Sequence, residues 1–304
     1  MKVTVAICTW NRSDLLNKTL ENMLQLRADE SFSWELIIVN NNCTDDTDQV
    51  TMKFSDRLPI KYISEPTPGL SNARNAAVRN ATGDYVIWTD DDVLVDENWL
   101  MAYVEAFIKY PEAAVFGGPV EPWFDGEPPR WLIQGWEHVA GSYAVRDLGN
   151  SEICFQQKGN IIPYGANFAV RFKEQVENLY DPHLGLVGDK RIMGEEVTVL
   201  RQILSVPGAV GWWLPNAKVK HWLPKERQSL RYIKKYYVGR GKTRKLQKPE
   251  VLNNRKTLFG RPRKMYKKLI IGNSKYIIQR IFYDSKVWLQ TYVKNCILWG
   301  EFKK

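Results

Sequence analysis

The stretch Tyr85–Asp92, with the sequence YVIWTDDD, places an apolar run directly before three adjacent carboxylates. The run is short and rich in β-branched and aromatic residues, which predicts a buried strand. Side chains alternate along a strand, so Asp90 and Asp92 are expected on the same side. Adjacent acids repel one another unless a cation offsets them, and carboxylate oxygens suit Mg²⁺ or Mn²⁺. A solvated acidic turn after a strand is the alternative, and this stretch alone does not decide between the two.

Three further strands precede this stretch and alternate with helices. The expected strands are Val3–Thr9, Trp34–Val39 and Ile60–Ser64. The expected helices are Asp14–Leu26 with Ser13 as its N-cap, a helix opened by the polar run Asn40–Thr47, and Ser71–Asn80. This alternation predicts an α/β fold with a mostly parallel sheet. Ligands of such sheets bind at the carboxyl ends of the strands, where polar loops follow the first, second and fourth strands here.

The middle of the chain is less regular, and its expected elements are shorter. They are a strand over Val115–Val120, an ordered loop over a cleft at Pro122–Leu132, a turn and strand at Tyr164–Arg171, a helix opened by Gly194-Glu195-Glu196 and running to about Leu204, and strands at Val210–Leu214 and Ala217–Trp222. His221 lies in the last of these strands. For the tryptophans of the loop, a rim packed for stability is as good an explanation as a role over a cleft.

Charge is distributed unevenly along the 304 residues. The net charge is +9, yet Lys218 to Lys304 contain 25 Lys and Arg residues and 4 Asp and Glu residues, so the remainder is acidic. We therefore predict a domain over residues 1–224 and a basic, aromatic, mainly helical extension over residues 225–304. The four cysteines lack the spacing of a metal finger, no signal peptide precedes the first strand, and no apolar run is long enough to span a membrane. These features predict a cytoplasmic protein.

The basic extension contains a helical pattern near its end. Gly239-Arg240-Gly241 is expected to break the preceding helix. From Tyr276 to Trp299, apolar residues recur at helical spacing, with lysines and an arginine at their flanks. The two adjacent apolar stripes hold Ile277, Ile281, Trp288, Tyr292 and Trp299, and Ile278, Phe282, Leu289, Val293 and Ile297. Such a helix is typical of a membrane surface, and a helix docked on the core with solvated lysines is the equal alternative.

Several short motifs occur in one order along the chain. They are CTWNR at Cys8–Arg12, IVNNNCTDDT at Ile38–Thr47, EPTPGLSNARN at Glu65–Asn75, TDDD at Thr89–Asp92, GGPV at Gly117–Val120, GANF at Gly165–Phe168, GEE at Gly194–Glu196 and VKH at Val219–His221. In this combination, residues 1–241 resemble the inverting glycosyltransferases of family 2. The resemblance implies the GT-A fold, with a Rossmann-like sheet flanked by helices. It also implies transfer of a sugar from a nucleotide-diphosphate sugar to a hydroxyl group.

The resemblance further implies which residues bind the nucleotide sugar. The family's nucleotide-sugar-binding positions correspond here to Thr9, Asn11, Arg12, Asn41, Arg74, Asp90 and Asp91. Thr9, Asn11 and Arg12 match the loop that holds the nucleotide, and Asn41 matches the contact with the base. Arg74 matches a basic residue near the diphosphate. Asp91 matches a position that faces the nucleotide sugar. UDP is the implied nucleotide.

The same resemblance implies a metal site and a base. Asp90 and Asp92 match the two acids of the Asp-x-Asp motif, which hold Mn²⁺ or Mg²⁺, and His221 matches a late histidine that approaches the metal or diphosphate. Glu196 matches the general base and Glu195 its neighbour. Sugar transfer needs a cation to offset charge on the diphosphate and a carboxylate to take the acceptor proton. The start of a helix is expected to favour ionised Glu196. The alternatives are that both glutamates are ordinary first-turn charges and that His221 is structural.

Two positions depart from the family pattern. Asn40 stands where many members carry Asp, so one contact with the nucleotide is expected to differ. Glu195-Glu196 replaces the usual Glu-Asp pair, and the longer second side chain would place the acceptor slightly further away.

Three functional interpretations follow. The first is a metal-dependent glycosyltransferase of cell-surface polysaccharide or glycoconjugate synthesis, which uses a UDP-sugar and a glycan or lipid-linked acceptor. Its basic extension would contact an anionic membrane, peripherally and at the inner face. The second is a catalytically silent family member that acts as a membrane-surface scaffold. The third is a basic nucleic-acid-binding module, which the acidic domain and the missing RNA-binding signatures disfavour, so no nucleic-acid partner is expected.

Overall fold

The computed structural model describes residues 1–158, 161–187, 190–192, 194–247, 257–258 and 261–302. The chain divides into two compact units, Met1–Glu121 with Ala144–His221, and Pro122–Tyr143 with Trp222–Lys304. The domain boundary expected after residue 224 stays a prediction. The second unit also includes the internal segment Pro122–Tyr143, which the charge pattern did not indicate.

Strands and helices alternate through the first part of the chain, as the apolar pattern predicts. The strands are β1 (Lys2–Thr9), β2 (Ser33–Asn40), β3 (Ile60–Ser64), β4 (Tyr85–Asp90), β5 (Val93–Val95), β6 (Ala113–Gly117), β7 (Val120–Phe124), β8 (Ile153–Cys154), β9 (Asn167–Arg171), β10 (Gly185–Val187), β11 (Lys190–Ile192), β12 (Val210–Trp213), β13 (Val219–Leu223), β14 (Thr257–Leu258) and β15 (Arg261–Pro262). The helices are α1 (Ser13–Met23), α2 (Thr47–Phe54), α3 (Leu70–Asn80), α4 (Trp99–Lys109), α5 (Arg130–Gln134), α6 (Phe172–Glu177), α7 (Glu195–Ser205), α8 (Leu230–Gln247), α9 (Arg263–Phe282) and α10 (Ser285–Phe302).

Eight strands form the central sheet, in the order β3-β2-β1-β4-β9-β6-β12-β8. The strands β3, β2, β1 and β4 are parallel. Beyond them β9 is antiparallel to both β4 and β6, and β8 is antiparallel to β12. The predicted α/β sheet is therefore confirmed. Apolar runs indicate where strands lie but not their direction, so the mixed half could not be predicted.

The sheet is covered on both faces by helices, as a parallel sheet requires. On one face, Val5 of β1 packs with Leu16 of α1 and Tyr103 of α4. On the other face, Ala6 packs with residues of α3 and α7, including Ala73 and Leu200. Val5 and Ala6 face opposite layers because side chains alternate along a strand.

The first helix begins at Ser13, so the prediction that Ser13 is its N-cap is wrong. Arg12 occupies the N-cap position and makes no capping bond with its side chain. The Ser13 N–H instead donates to Asp45 Oδ2 at 2.8 Å. A carboxylate from the neighbouring loop thus satisfies a helix-start donor that a local side chain would otherwise bind.

The expected strand Val115–Val120 is two strands, β6 and β7, separated by Gly118 and Pro119. A Cβ at Gly118 would lie 2.0 Å from the carbonyl oxygen of Ala217, so the chain passes too closely there for a side chain. The segment Pro122–Leu132 is also more regular than expected, because β7 extends to Phe124 and α5 begins at Arg130. Its role over a cleft stays a prediction.

The second unit is built around α8 and α10. A Cβ at Gly241 would lie 2.0 Å from the carbonyl oxygen of Ile297, and one at Gly300 would lie 2.1 Å from that of Val238. The two helices therefore cross with their backbones in contact. The expected break at Gly239-Arg240-Gly241 is wrong, since α8 continues through it. The backbone contact accounts for Gly241 inside a helix.

Tyrosine hydroxyls tie the internal segment Pro122–Tyr143 to α8 in the same unit. Tyr232 Oη donates to the carbonyl of Ser142 at 2.8 Å, and Tyr237 Oη donates to that of His138 at 3.0 Å. These bonds account for the tyrosines among the basic residues of the extension.

The amphipathic segment Tyr276–Trp299 is not one helix but the end of α9 and most of α10. The N–H of Val287 approaches Asp284 Oδ1 at 3.3 Å, and an Asp directly before a helix favours a new start there. In α10 the stripe residues Trp288, Leu289 and Val293 are buried. None of the described helices combines the length and the hydropathy needed to cross a membrane.

Candidate active site

Polar residues meet where the parallel strands of the first unit end. In the sheet register, Thr9 of β1 lies opposite Asn40 of β2, and Cys8 lies opposite Asp90 of β4. The loops after these three strands therefore begin side by side. This is the edge at which sheets of this type bind ligands.

Asp90, Asp92 and His221 form one cluster, with a ligand atom from each within 4.8 Å of the others. His221 Nε2 is 3.4 Å from Asp92 Oδ1. The register of β13 against β5 causes this, because His221 pairs with Val93, the residue after Asp92. Two carboxylates and one imidazole are a donor set suited to Mn²⁺ or Mg²⁺. The structure thus brings together the three residues predicted as metal ligands.

Asp91 lies between the two cluster acids and binds the loop after β1. Its carboxylate accepts hydrogen bonds from Thr9 Oγ1 at 2.8 Å and from Arg12 Nη1 at 3.0 Å. Arg12 Nη1 also donates to Asp92 Oδ2 at 2.9 Å. Burial raises the pKa of Asp91 to about 7, although the charge of Arg12 opposes the rise. The contacts of Asp91 and Arg12 are with the protein, and their roles toward a nucleotide sugar stay predictions.

The two asparagines predicted to bind the nucleotide both hold loops. Asn11, with a positive φ of 51°, accepts the N–H of Thr44 at 2.7 Å through its side-chain oxygen. Asn41 Nδ2 donates to the carbonyls of Glu65 and Thr67, and Asn41 Oδ1 accepts the N–H of Gly69. Asn41 therefore fixes the loop that leads into α3. Its contact with a base stays a prediction.

Asn40, where the family resemblance leads one to expect Asp, donates its side-chain amide to a neighbouring carboxylate. Asn40 Nδ2 donates to Asp48 Oδ1 at 2.6 Å and to Tyr62 Oη at 3.0 Å. Asn40 Oδ1 accepts the N–H of Cys43 at 2.7 Å. An Asp at position 40 would set two carboxylates against each other. An amide at position 40 thus fits the presence of Asp48.

A second group of carboxylates lies at the start of α7. Glu195 is buried, and its Oε1 is 3.3 Å from Arg74 Nη1. Gly194, at φ 113°, places Glu195 so that its Oε2 accepts the N–H of Gly194 at 3.1 Å. Burial and the adjacent Glu195 raise the pKa of Glu196. A backbone hydrogen bond at the helix start lowers the pKa of Glu196, as expected, but burial and the like charge of Glu195 outweigh it.

Arg74 is buried among aromatic side chains. Its guanidinium lies over the rings of Trp88, Phe168 and Tyr180, at 5.8, 5.9 and 5.2 Å from their centroids. A Cβ at Gly165 would lie 3.3 Å from Arg74 Nη2 and 3.4 Å from Glu196 Oε1. Arg74 thus positions the carboxylate pair, and its contact with a diphosphate stays a prediction.

Asn167 is a supporting residue for which the sequence predicts no functional role. It is fully buried, and its Oδ1 accepts bonds from Trp99 Nε1 and Tyr103 Oη, each at 2.9 Å. Its Nδ2 donates to the carbonyls of Pro119 and Ala217, just before β7 and β13. Asn167 therefore fixes the start of the strand that carries His221. Its amide side chain beside the apolar residues of β9 was the feature of the sequence that could have indicated this role.

Comparison with known proteins gives a family and relatives for part of the chain. A sequence model of the family described as Glycosyl transferase family 2 matches residues 4–176. The chain is 28% identical over 140 residues to the succinoglycan biosynthesis protein ExoM of Rhizobium meliloti (strain 1021), covering 45% of each protein. It is 29% identical over 119 residues to poly-beta-1,6-N-acetyl-D-glucosamine synthase of Staphylococcus aureus (strain MSSA476), covering 38% of this chain and 28% of that protein. The chain thus spans less than half the length of these relatives.

Solved structures share the fold. The mannosyltransferase PcManGT of Pyrobaculum calidifontis, in complex with GDP-Man and Mn²⁺, has a TM-score of 0.60 and 15% identity, over 99% of this chain and 87% of that chain. S. aureus TarS 1-349, in complex with UDP-GlcNAc, has a TM-score of 0.53 and 17% identity, over 93% and 74%. At these identities the likeness concerns the fold, and it confirms the predicted fold class.

Proposed function

Because the chain belongs to glycosyl transferase family 2 and has the GT-A fold, we propose that it transfers a sugar, with inversion, from a nucleotide-diphosphate sugar to a hydroxyl group. The observation that carries the proposal is the cluster of Asp90, Asp92 and His221 at the carboxyl edge of the sheet. The charge of Asp90 contributes to the raised pKa of Glu196, which supports assigning the cluster and the carboxylate pair to one site.

The three cluster residues fit a divalent cation, and we propose Mn²⁺ or Mg²⁺. Asp90, Asp92 and His221 would hold it. A bound cation would offset charge on the leaving diphosphate. Arg12 bridges Asp91 and Asp92 and would keep these acids in place from the β1 loop. UDP is the proposed nucleotide, with support from the UDP-GlcNAc complex of TarS, and the GDP-Man complex of PcManGT makes GDP the first alternative.

Glu196 is the proposed general base. Its pKa is raised by burial and by Glu195, and a base is most effective when its pKa approaches the working pH. Glu195 is held by Arg74, so it would orient the pair rather than accept the proton. Thr9, Asn11, Arg12 and Asn41 shape the loops that would surround the nucleotide.

The acceptor and the setting are also proposals. The named relatives support synthesis of a cell-surface polysaccharide or glycoconjugate, with a glycan or lipid-linked acceptor. We propose a cytoplasmic location and a peripheral contact between the basic extension and the inner face of the membrane. Charge supports this contact, since each lysine or arginine near an anionic surface contributes about 1 kcal/mol.

The test is thermal unfolding with a panel of nucleotides, with and without Mn²⁺. UDP with Mn²⁺ is expected to raise the midpoint, because a ligand that binds only the native state stabilises it. Asp92→Ala should abolish the rise, whereas Asp56→Ala, an exposed acid outside the site, should keep it. A higher unfolding midpoint with GDP than with UDP would identify GDP as the nucleotide of the donor. No rise with any nucleotide would contradict the proposal and favour the scaffold interpretation.

A further inference from the structure

Helix α9 has apolar residues on two opposite sides, and one side is exposed. Toward α10 it presents Gly272 and Tyr276: a Cβ at Gly272 would lie 2.2 Å from Asn295 Oδ1, and the Tyr276 ring is 5.1 Å from that of Tyr292. At 3.6 residues per turn, six large apolar residues fall on the side away from these contacts. They are 55–75% exposed and form what we call the outer face: Ile270, Ile271, Ile277, Ile278, Ile281 and Phe282.

Exposed cations border the outer face. They are Arg263, Lys264, Lys267, Lys268 and Lys275. The sequence Arg263–Phe282 contains no Asp or Glu. A lysine stem can lie along apolar surface while its charged end reaches outward. Apolar residues beside cations complement the two layers of an anionic bilayer surface, the acyl boundary and the headgroup phosphates.

Charge also favours an anionic lipid surface over a second copy of the chain as the partner of the outer face. Two copies that paired their outer faces would bring the same five cations together, and α9 supplies no carboxylate to offset them. Like charges facing each other across an interface oppose association. An anionic lipid surface has the opposite charge and meets no such repulsion.

We propose that the outer face of α9 binds the surface of an anionic phospholipid bilayer, with the helix lying in the plane of the interface. The proposal deepens the proposed function, on which it rests for its purpose, because it names the face that would bring the enzyme to a lipid-linked acceptor. It also divides the amphipathic segment, since Trp288, Leu289 and Val293 of α10 are buried, whereas the outer face of α9 is exposed. The contact itself requires neither donor nor metal.

Flotation of the full chain with vesicles tests the proposal. Vesicles of phosphatidylcholine with phosphatidylglycerol are compared with phosphatidylcholine alone. The variant Ile278→Glu with Ile281→Glu should lower the partition coefficient for the anionic vesicles at least about tenfold, because it replaces two apolar side chains that would insert into the bilayer with two negative charges. The matched control, Met52→Glu with Ile108→Glu, changes two residues of the first unit that are at least as exposed as Ile278, and it should stay within about twofold of wild type.

Each outcome decides the question. Loss of flotation in the α9 variant but not in the control supports the proposal. Equal flotation of both variants, or equal binding of wild type to neutral vesicles, overturns it. A wild-type dimer that the α9 variant converts to monomer, without flotation, would assign the face to a second copy instead. The thermal response to nucleotide, measured on the same variants, separates this result from failure of the donor site.

Discussion

At the scale of single residues, Asn40 joins three polar groups at the end of β2. Its amide donates to Asp48 and Tyr62 and accepts the N–H of Cys43. Burial raises the pKa of Tyr62 to about 12, and its hydrogen bond to Asp48 adds to the rise, so the hydroxyl stays protonated at neutral pH. This cluster determines the path of the loop that follows β2.

We expect Asn40→Asp to lower the free energy of unfolding by about 1–3 kcal/mol at neutral pH, because a donor is lost and a carboxylate then faces Asp48. Urea unfolding measures the change. The double variant Asn40→Asp with Asp48→Asn should recover most of the loss, since it exchanges acceptor and donor. If the double variant is no more stable than the single one, the Asn40–Asp48 contact does not explain the departure from the family pattern.

Glu196→Gln should reduce kcat by about 10²–10⁴-fold with little change in the KM for the donor, because the amide cannot accept the proton of the acceptor hydroxyl. The assay is transfer from a radiolabelled sugar donor. Glu177→Gln, at the exposed end of α6, is the matched control and should retain full activity. An unchanged kcat in Glu196→Gln would remove Glu196 from the role of base.

Many residues of the candidate site could be predicted from the sequence, because they follow strands of a parallel sheet. Asp90, Asp92 and the polar loops follow apolar runs, and parallel strands bring their ends together. The partners are not visible in the same way. The contacts Asp45–Ser13 and Arg74–Glu195 join residues far apart in the chain, and they depend on the path of each loop.

At the scale of elements, the crossing of α8 and α10 requires glycine on each helix. Gly241→Ala is expected to lower the free energy of unfolding by about 1–3 kcal/mol, because its Cβ would overlap the backbone of Ile297. Gly239→Ala, two residues earlier with open space around it, should raise it by about 0.4–1 kcal/mol. Chemical denaturation compares the two. Equal effects would show that the helices do not need this close approach.

Glu35 connects β2 with β1 and with the turn before β4. Its Oε1 accepts bonds from Thr4 Oγ1 and from both the N–H and the Oγ1 of Thr82, each at 2.7 Å. Burial raises the pKa of Glu35, but the bonds from Thr82 and Thr4 outweigh it, so the pKa lies below its ordinary value of 4.5.

This carboxylate should make stability depend on pH. A depressed pKa in the folded state stabilises above the unfolded pKa, and the contribution disappears as pH falls through the folded pKa. The free energy of unfolding should therefore fall below about pH 4.5 in wild type, and less steeply in Glu35→Gln. Urea midpoints across the acid range measure both slopes. Identical slopes would assign the acid sensitivity to other carboxylates.

The order of elements follows from apolar periodicity, but interruptions do not. Glycines inside a helical pattern predict a break, whereas α8 continues through Gly239 and Gly241 because α10 packs there. The division between α9 and α10 at Tyr283 and Asp284 was also hidden by the continuous apolar stripes. In the first case a neighbouring helix, and in the second a capping side chain, determines whether the helix continues, which helix propensity alone does not predict.

At the scale of the whole molecule, charge is separated along the sequence. The 25 basic residues from Lys218 onward are accompanied by 4 acids, whereas the residues before them carry the acidic excess. Such a distribution attracts any polyanion through counterion release. It gives no base-specific recognition, which requires side chains aimed at base edges.

We therefore expect duplex DNA and heparin to bind with similar affinity, and both affinities to fall steeply as salt is raised. Fluorescence anisotropy over a salt series measures this. The variant Lys267→Gln with Lys268→Gln should weaken both ligands equally. Sequence-selective binding that survives at high salt would instead support the nucleic-acid-binding interpretation.

The strand register that sets His221 beside Asp92 has a consequence during translation. A ribosome that adds roughly 5–20 residues per second needs on the order of ten seconds to travel from Asp92 to His221. Through that interval the nascent polypeptide already carries the acids of the cluster, while the imidazole has yet to be synthesised. Arg12, which pairs with Asp91 and Asp92 in the folded protein, is synthesised before both acids, so their cationic partner precedes them in the nascent chain.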